Sequence, residues 1–275
     1  MEQMKNPIEE LKNKIEDNMK RIDHKIVIVS GKGGVGKSSI TALLALAAAI
    51  KNKRSGILDA DIHGPSIPKI LGLEGESLRV ESNRILPVKG PLNVEVVSIQ
   101  FLLPTEDSPV IWRGPLKGKL IGEFLANVQW NNLNYLFVDL PPGTGDEALS
   151  IAQFMRTVDG AVIVTIPSDL SRIVVKKAVN FCRKLNLPII GIVENMSGFT
   201  CPNCGAFYRI FGEGAGRRIA AEMNIPLLGE IPIDPRLNEC NDEGEPYLLK
   251  HPDTKTSKAL MEMAEKLMEK VEGKN

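Results

Sequence analysis

The segment Ser30–Ser39 has the spacing of a phosphate-binding loop. The four residues between Gly31 and Gly36 are followed by a Lys-Ser pair, which satisfies the pattern G-x-x-x-x-G-K-[ST] between an apolar run and a helical stretch. Such glycines turn backbone N–H groups toward phosphate oxygens, the lysine neutralises the β- and γ-phosphates, and the serine hydroxyl is a magnesium ligand. A glycine-rich turn without a ligand is the alternative. The expected nucleotide contacts are Gly31, Lys32, Gly33, Gly34, Val35, Gly36, Lys37, Ser38 and Ser39.

Three aspartates follow short apolar runs. Asp59 and Asp61 follow residues 57–58, and Asp139 follows residues 136–138. Phosphoryl transfer to water depends on positioning and charge stabilisation, so it requires a carboxylate near magnesium and a polar group that orients the attacking water. One aspartate at a strand end can instead cap a helix. Three at strand ends favour a catalytic set.

Cys201 and Cys204 form a C-P-N-C motif. Thiolates at this spacing chelate one soft metal ion or supply two ligands to an iron–sulfur cluster. Zinc and most such clusters require four ligands, and neither Cys182 nor Cys240 has a close cysteine partner in the sequence. The motif is therefore half of a site, which a two-fold dimer would complete with four sulfurs.

Short, continuous apolar runs alternate with helical stretches along the chain. Runs without polar alternation indicate strands that are buried on both faces, as in a parallel sheet covered by helices. The fold class predicted is α/β, a doubly wound, mostly parallel sheet with helices on both faces. The predicted strands are 26–29, 57–58, 94–99, 136–138, 161–166, 189–193 and 227–231, and the main predicted helices are 37–53, 116–128, 147–157, 170–185 and 213–223.

The predicted organisation is an N-terminal amphipathic helix followed by one domain. Within residues 1–24, apolar residues recur at helical spacing after Asn6 and Pro7, which are suited to the N-cap and first helical positions. No linker rich in Pro, Gly or Ser divides residues 25–275, which we interpret as a single domain that contains the P-loop. Two regions depart from the pattern: residues 74–92, a small hairpin or irregular insertion, and the cysteine-containing loop near 196–212.

Composition excludes several classes of protein. Lys+Arg and Asp+Glu both number 34, so no net field attracts a polyanion and we expect no nucleic-acid partner. The longest nearly apolar run, residues 39–50, is shorter than the roughly 20 residues that span a bilayer, and the charged residues 1–25 do not form a signal peptide. Four cysteines do not make a disulfide scaffold. We expect a cytoplasmic protein without a membrane partner.

The loop G-K-G-G-V-G-K-S resembles the deviant Walker A loop of the MinD/ParA/nitrogenase-iron-protein group of ATPases. In that group the additional lysine, here Lys32, reaches across a dimer interface to the nucleotide of the partner. A solvated surface lysine is the alternative. The resemblance implies that Lys32, Lys37 and Asp61 are catalytic, with Asp61 orienting the attacking water. It also implies a magnesium site formed by Ser38, Asp59 and Asp139.

Further blocks resemble the Mrp/ApbC family of iron–sulfur cluster carrier ATPases. These blocks are residues 59–66, 112–115, 139–146, 194–204 and 210–212, in the order of the family. The resemblance implies an ATPase that binds a labile [4Fe-4S] cluster at a homodimer interface through Cys201 and Cys204 and transfers it to apo iron–sulfur proteins. It also implies that Asn195 reads the nucleotide base. Residues 1–24 contain no cysteine, so we expect no second, N-terminal cluster of the kind that many relatives carry.

Other interpretations stay open. Structural zinc suits the same four sulfurs, and a spatial-organising ATPase of the MinD/ParA kind with a zinc-stapled dimer would bind membrane or DNA. Its C-terminal helix would be basic, whereas Glu262, Glu265 and Glu269 offset the lysines beside the apolar stripe here. A reductase similar to the nitrogenase iron protein also holds an interfacial cluster, but without a C-P-x-C pair. A redox dithiol lacks a thioredoxin-like context.

Overall fold

A computed structural model describes residues 7–103, 105, 114–143, 145–155 and 157–273. Asn6, Trp112, Arg113 and Thr144, which belong to motifs named above, lie outside these residues. The strands are β1 (Ile22–Ser30), β2 (Ser55–Asp59), β3 (Arg79–Glu81), β4 (Arg84–Leu86), β5 (Val88–Lys89), β6 (Glu95–Ser98), β7 (Leu133–Asp139), β8 (Gly160–Thr165), β9 (Ile189–Thr200), β10 (Phe207–Tyr208) and β11 (Leu227–Ile233). The helices are α1 (Pro7–Met19), α2 (Lys37–Ile50), α3 (Ile67–Ile70), α4 (Gly114–Asn127), α5 (Asp146–Phe154), α6 (Asp169–Lys184), α7 (Ala215–Met223), α8 (Pro235–Glu243), α9 (Tyr247–Lys250) and α10 (Lys255–Glu272).

Nine of the described strands form one sheet in the order β10-β9-β8-β1-β7-β2-β6-β5, with β11 also paired with β9. Neighbouring strands are parallel except for the β5/β6 and β10/β9 pairs. Asp139 at the end of β7 lies in register with Asp59 at the end of β2, which lies in register with Ser98 of β6. Carboxyl ends of parallel strands meet at one edge, so the sheet brings these polar side chains together.

Helices cover both faces of the sheet, as predicted. Successive side chains of β1 point to opposite faces: Ile26 and Ile28 belong to an apolar cluster with α2 and α10, whereas Val27 and Val29 belong to a second cluster with α1, α4 and α6. This double burial explains why the strands read as continuous apolar runs. The apolar stripe of α10 is buried in the first cluster.

Helix α1 is built into the second cluster. It ends at Met19, before the end of the predicted N-terminal segment 1–24, because β1 begins at Ile22. Ile15 and Met19 are buried. The Asn18 amide donates to the carbonyl oxygens of Leu125 and Val128, each at 2.8 Å, and so satisfies acceptors at the end of α4 that have no helical partner.

The two regions that depart from the α/β pattern are both hairpins. β3 and β4 pair antiparallel around Ser82 and Asn83, which have φ values of 49° and 61°; positive φ at both central residues is typical of a type I′ turn. In the region 196–212, the prediction of a loop is wrong over its first residues, because β9 continues through Thr200 and pairs with β10. In the described ranges, no helix is both long and apolar enough to cross a membrane.

Candidate functional site

The phosphate-binding loop joins β1 to α2, at the sheet edge where Asp59 and Asp139 lie. Gly36 has a φ of 79°, and a Cβ there would lie 2.3 Å from Nδ2 of Asn195. A Cβ on Gly31 would lie 2.6 Å from the carbonyl oxygen of Val174 in α6. Both positions exclude any larger residue, so the motif glycines are required by the packing around the loop as well as by its turns.

A cavity of about 600 Å³ opens beside this loop. It is lined by the loop from Lys32 to Ser39, by Asp61, by the segment before and within α3, and by one face of α8. The contributing residues outside the loop are Ser30, Asp61, Gly64, Pro65, Ser66, Lys69, Ile70, Pro142, Asn238, Asn241 and Asp242. A glycine-lined cavity at a helix N-terminus, with lysine and serine side chains in its wall, suits the phosphates of a nucleotide, and we call it the phosphate cavity.

Asp139 is the centre of the polar contacts behind the loop. Its Oδ2 atom accepts from Nζ of Lys37 at 2.7 Å and from the hydroxyl of Ser38 at 2.6 Å. Its Oδ1 atom accepts from the hydroxyl of Thr41 at 2.7 Å. Asp139 is fully buried and Lys37 is 6% exposed, so the loop lysine forms a buried ion pair with the strand carboxylate.

Asp59 and Asp61 lie beside this ion pair in different environments. Oδ2 of Asp59 accepts from the hydroxyl of Ser98 at 3.0 Å, and burial together with the nearby charge of Asp139 raises the pKa of Asp59 well above its ordinary value. Asp61 borders the cavity, where Oδ1 accepts from the backbone N–H of Gly64 at 3.2 Å.

The donor set fits magnesium. Asp59 and Asp139 are both buried, and they lie close enough that the charge of Asp139 raises the pKa of Asp59. The hydroxyl of Ser38 donates to Asp139. A divalent cation that prefers oxygen ligands would relieve this repulsion. Magnesium held by these residues would supply charge neutralisation for phosphate oxygens.

The cysteine pair lies in the turn of the β9/β10 hairpin. The backbone N–H of Cys201 donates to the carbonyl of Ala206, and that of Gly205 donates to the carbonyl of Cys201, each at 2.9 Å. Backbone N–H groups of Cys204 and Asn203 stabilise the Cys201 thiolate and lower the pKa of that thiol. The turn is therefore arranged to hold a thiolate at the surface.

The other two cysteines are buried elsewhere. Cys182 lies in α6 and Cys240 in α8, and burial raises the pKa of Cys182 to about 11. Among the residues that the structure describes, no group of three or more His, Cys, Asp or Glu side chains is placed to hold a metal ion. Cys201 and Cys204 are thus two neighbouring thiols without a third such side chain in a ligating position among the described residues.

Comparison with known proteins decides between the families that share this loop. A family model for ParA proteins, described as NUBPL iron-transfer P-loop NTPase, matches residues 21–268. The chain belongs to this family of iron-transfer P-loop NTPases. An iron-sulfur cluster carrier protein of Saccharolobus solfataricus is 53% identical over 259 residues, which are 94% of this chain and 88% of that protein. The predicted resemblance to carrier ATPases is confirmed.

Two solved structures place this iron-transfer NTPase among its structural neighbours. A nucleotide-binding protein from Archaeoglobus fulgidus, in complex with ADP and with Co found, has 41% identity and a TM-score of 0.76 over 90% of this chain and 98% of that chain. The septum site-determining protein MinD of Pyrococcus horikoshii, complexed with Mg-ADP, has 22% identity and a TM-score of 0.66 over 89% and 95%. The MinD likeness shows the fold alone, so the comparisons favour the carrier family over the spatial-organising alternative.

The remaining predicted contacts of the iron-transfer NTPase lie on two sides of the loop. Lys32 is half-buried and lines the phosphate cavity. Asn195 of β9 donates from Nδ2 to the carbonyl of Val35 at 3.0 Å, and the hydroxyl of Ser39 accepts from Asn241 at 3.0 Å. Gly143, in the segment after β7, donates its N–H to the carbonyl of Ser30 at 2.9 Å.

A second cavity, of about 240 Å³, adjoins the phosphate cavity and contains residues that the sequence prediction missed. We call it the base-side cavity; it is lined by Gly36, Ser39, Asn195, Met196, Phe211, Pro232, Ile233, Asp234, Pro235, Leu237, Asn238 and Asn241. The helix α8 lines both cavities but was not predicted. Its start was visible in the sequence, since Asp234 accepts from the backbone N–H of Arg236 at 3.1 Å as an N-cap and Pro235 occupies the first helical position.

Asp59→Asn is expected to stabilise the nucleotide-free protein by about 1 kcal/mol while reducing its stabilisation by magnesium and ADP. The pKa of Asp59 is raised in the folded state, so its contribution to stability is present in acid and is lost as pH rises. The gain from the neutral amide is therefore largest at mildly alkaline pH and vanishes in acid. Thermal unfolding across pH, with and without magnesium and ADP, measures both effects.

The exposed Asp253 supplies the control for this substitution. Asp253→Asn is expected to change neither the nucleotide-free unfolding temperature nor the response to magnesium and ADP. A loss of stability in Asp59→Asn at alkaline pH, without ligand, contradicts the assignment of a charge-repelled carboxylate at Asp59.

Cys201 of the metal-free protein is expected to react with iodoacetamide at lower pH than an ordinary thiol does. The thiolate is the nucleophile, and the lowered pKa of Cys201 increases the thiolate fraction near neutrality. Peptide mapping by mass spectrometry over a pH series measures the rate at each cysteine, with the buried Cys182 as internal control. A Cys201 profile equal to that of an unstructured cysteine peptide contradicts the prediction.

Proposed function

We propose that this chain is an ATP-hydrolysing carrier that binds a labile iron–sulfur cluster between two copies of itself and delivers it to apo iron–sulfur proteins. The observation that carries this proposal is the pair of thiols in the turn of the β9/β10 hairpin, one of them with a lowered pKa, on a strand that also lines the base-side cavity through Asn195 and Met196. The carrier names of the homologues support the same cargo. Two half-sites from two chains supply the four sulfurs that a [4Fe-4S] cluster requires.

The nucleotide chemistry follows from the groups behind the loop. Lys37 would exchange its carboxylate partner Asp139 for phosphate oxygens, and the N–H groups of the glycine-rich loop would bind the remaining oxygens. Asp61, at the cavity wall, would orient the attacking water as hydrogen-bond acceptor. Ser38, Asp59 and Asp139 would hold magnesium, which neutralises phosphate charge when bound.

In the proposal, a second copy of the chain contributes to the nucleotide site and to the cysteine site. Lys32 lines the phosphate cavity in addition to Lys37, and its role in the proposal is to contact the nucleotide of the facing chain. Phe207 and Tyr208 of β10, beside the cysteines, are 57% and 52% exposed. Exposed aromatic side chains of this kind mark protein contacts, and a facing chain would cover them together with the cluster.

The decisive experiment is anaerobic reconstitution with iron and sulfide, followed by metal analysis and gel filtration with and without ATP. The proposal predicts a brown dimer with broad visible absorbance and about one cubane per two chains. A colourless dimer that contains zinc in place of iron contradicts it and favours a structural zinc site.

Cluster transfer distinguishes the carrier from a reductase. Loaded protein is mixed with an apo-ferredoxin, and the two are separated and analysed for iron and sulfide with and without ATP. A carrier loses its cluster to the acceptor, and coupling to ATP hydrolysis predicts a different rate with ATP than without it. Retention of the cluster while an acceptor is reduced contradicts the carrier assignment.

A further inference from the structure

The base-side cavity has a wall that belongs to the same segment as the cysteine hairpin. Phe211 lies three residues after the end of β10. It borders the cavity together with Asn195 and Met196 of β9. Its side chain is 44% exposed, so the ring borders the cavity without being part of the core. The short segment from Cys201 to Phe211 therefore forms the cysteine turn at one end and borders the base-side cavity at the other.

Two contacts of the chain lie on either side of Phe211 in sequence. On one side β10 pairs with β9, so that Phe207 lies opposite Thr200. On the other side Gly212 has a φ of 98°, and a Cβ there would lie 2.6 Å from the carbonyl oxygen of Pro167. Phe211 therefore lies between a paired strand and a glycine whose backbone packs closely on Pro167, only three residues after β10.

The chemistry of the base-side cavity favours a stacked base. It shares Gly36, Ser39, Asn238 and Asn241 with the phosphate cavity, so a nucleotide whose phosphates bind the loop extends its base into it. Phe211 is the aromatic side chain among the described residues that line it. Nucleobases stack on aromatic rings with little dependence on sequence, since every base has a π-face.

We propose that Phe211 packs on the base of the bound nucleotide and thereby sets the position of the cysteine hairpin, so that nucleotide occupancy changes access to Cys201 and Cys204. This inference rests on the proposed function, because it takes nucleotide binding and a metal site at the two thiols as given. Asn195 lines the same cavity and lies on the strand that leads to Cys201. A base in this cavity would therefore contact β9 through Asn195 and the segment after β10 through Phe211.

The test measures alkylation of Cys201 and Cys204 in metal-free protein by mass spectrometry, with and without saturating ADP. In the wild type, ADP is expected to change the alkylation rates about fivefold or more. Phe211→Ala is expected to abolish this change at saturating ADP and to weaken ADP binding about fivefold or more, because base stacking is lost. Phe211→Tyr keeps the ring and is expected to retain the response.

Ile210→Ala is the matched control. Ile210 lies in the same segment and is 57% exposed, but it is not among the residues that line the base-side cavity. It is expected to respond to ADP like the wild type. Tripolyphosphate, which has no base, is a second probe and is expected to leave the alkylation rates unchanged.

Three results overturn the inference while leaving the proposed function standing, provided that the wild type still binds iron–sulfur cluster and hydrolyses ATP. These are a full ADP response in Phe211→Ala, an equal loss of response in Ile210→Ala, and an equal response of the wild type to tripolyphosphate and ADP. A wild type that binds ADP without any change at the thiols also overturns it. A wild type that binds no nucleotide overturns both the inference and the proposed function.

Discussion

Lys37→Ala is expected to weaken ADP binding on the order of 100-fold, the largest effect on the nucleotide site. In the proposed site, the substitution removes the cation that would meet the β-phosphate of ADP, and α2 contains no other lysine. It also leaves the buried carboxylate of Asp139 with hydroxyl partners only, from Ser38 and Thr41. Breaking one member of a buried ion pair costs about 3–5 kcal/mol, so the unfolding temperature should fall as well. Calorimetric titration with ADP and thermal unfolding measure the two effects.

Two further variants separate lost binding from lost stability. The double variant Lys37→Ala with Asp139→Asn removes both charges and is expected to recover stability without recovering ADP affinity. Lys51→Ala, at the end of the same helix and paired with Glu265 outside the cavity, is expected to bind ADP normally. Normal ADP affinity in Lys37→Ala would mean that the loop does not bind phosphate through this lysine.

Lys32→Ala is expected to have a different signature. If Lys32 acts on the nucleotide of a facing chain, the variant binds ADP with nearly wild-type affinity while its ATP turnover no longer rises with protein concentration. Turnover that falls in proportion to ADP affinity would instead place Lys32 on the nucleotide of its own chain.

Replacing either Cys201 or Cys204 with Ala is expected to reduce iron and sulfide in the reconstituted protein to background, with folding and ADP binding retained. Both side chains lie in a surface turn whose hydrogen bonds are made by the backbone, so the free energy of unfolding should change by no more than about 0.5 kcal/mol. One lost thiolate leaves an interfacial cluster without one ligand from each chain. Metal analysis and thermal unfolding of the same samples test the two halves of the prediction.

The buried Cys182 supplies the matched control for the cysteine variants. Cys182→Ala opens a small cavity in the core, so we expect reduced stability with full cluster loading, the reverse of the surface variants. A marked loss of stability in Cys201→Ala of metal-containing protein would favour a structural metal and count against a labile cargo.

The sheet was predictable because its strands are buried on both faces. Each predicted strand, such as 136–138, lies within an observed strand; the predicted strands 94–99 and 161–166 extend beyond the observed ones by no more than one residue at either end. A continuous apolar run must be covered on both faces, which favours a central strand of a helix-covered sheet. The ends were harder to place. β9 runs on to Thr200 through Met196 and Gly198, both with positive φ, so its last residues carry the composition of a loop while they pair as a strand.

Contacts between distant segments were not visible in the sequence. The motif indicates the roles of Lys37 and Asp139 separately, but nothing in local spacing shows that the lysine rests on the carboxylate 102 positions away. The base-side cavity combines residues of the loop, β9, α8 and the segment after β10. Its apolar members, such as Phe211 and Leu237, have no periodic pattern that would distinguish them from surface residues.

The ion pair between Lys37 and Asp139 bears on the free energy with which this site would bind a nucleotide. The charge of Lys37 is balanced by a carboxylate of the chain itself. A phosphate that binds Lys37 would therefore compete with this carboxylate. In the proposed site, the contact of Lys37 with phosphate is set against its ion pair with Asp139, so a return of Lys37 to the carboxylate would lower the free-energy cost of releasing the nucleotide.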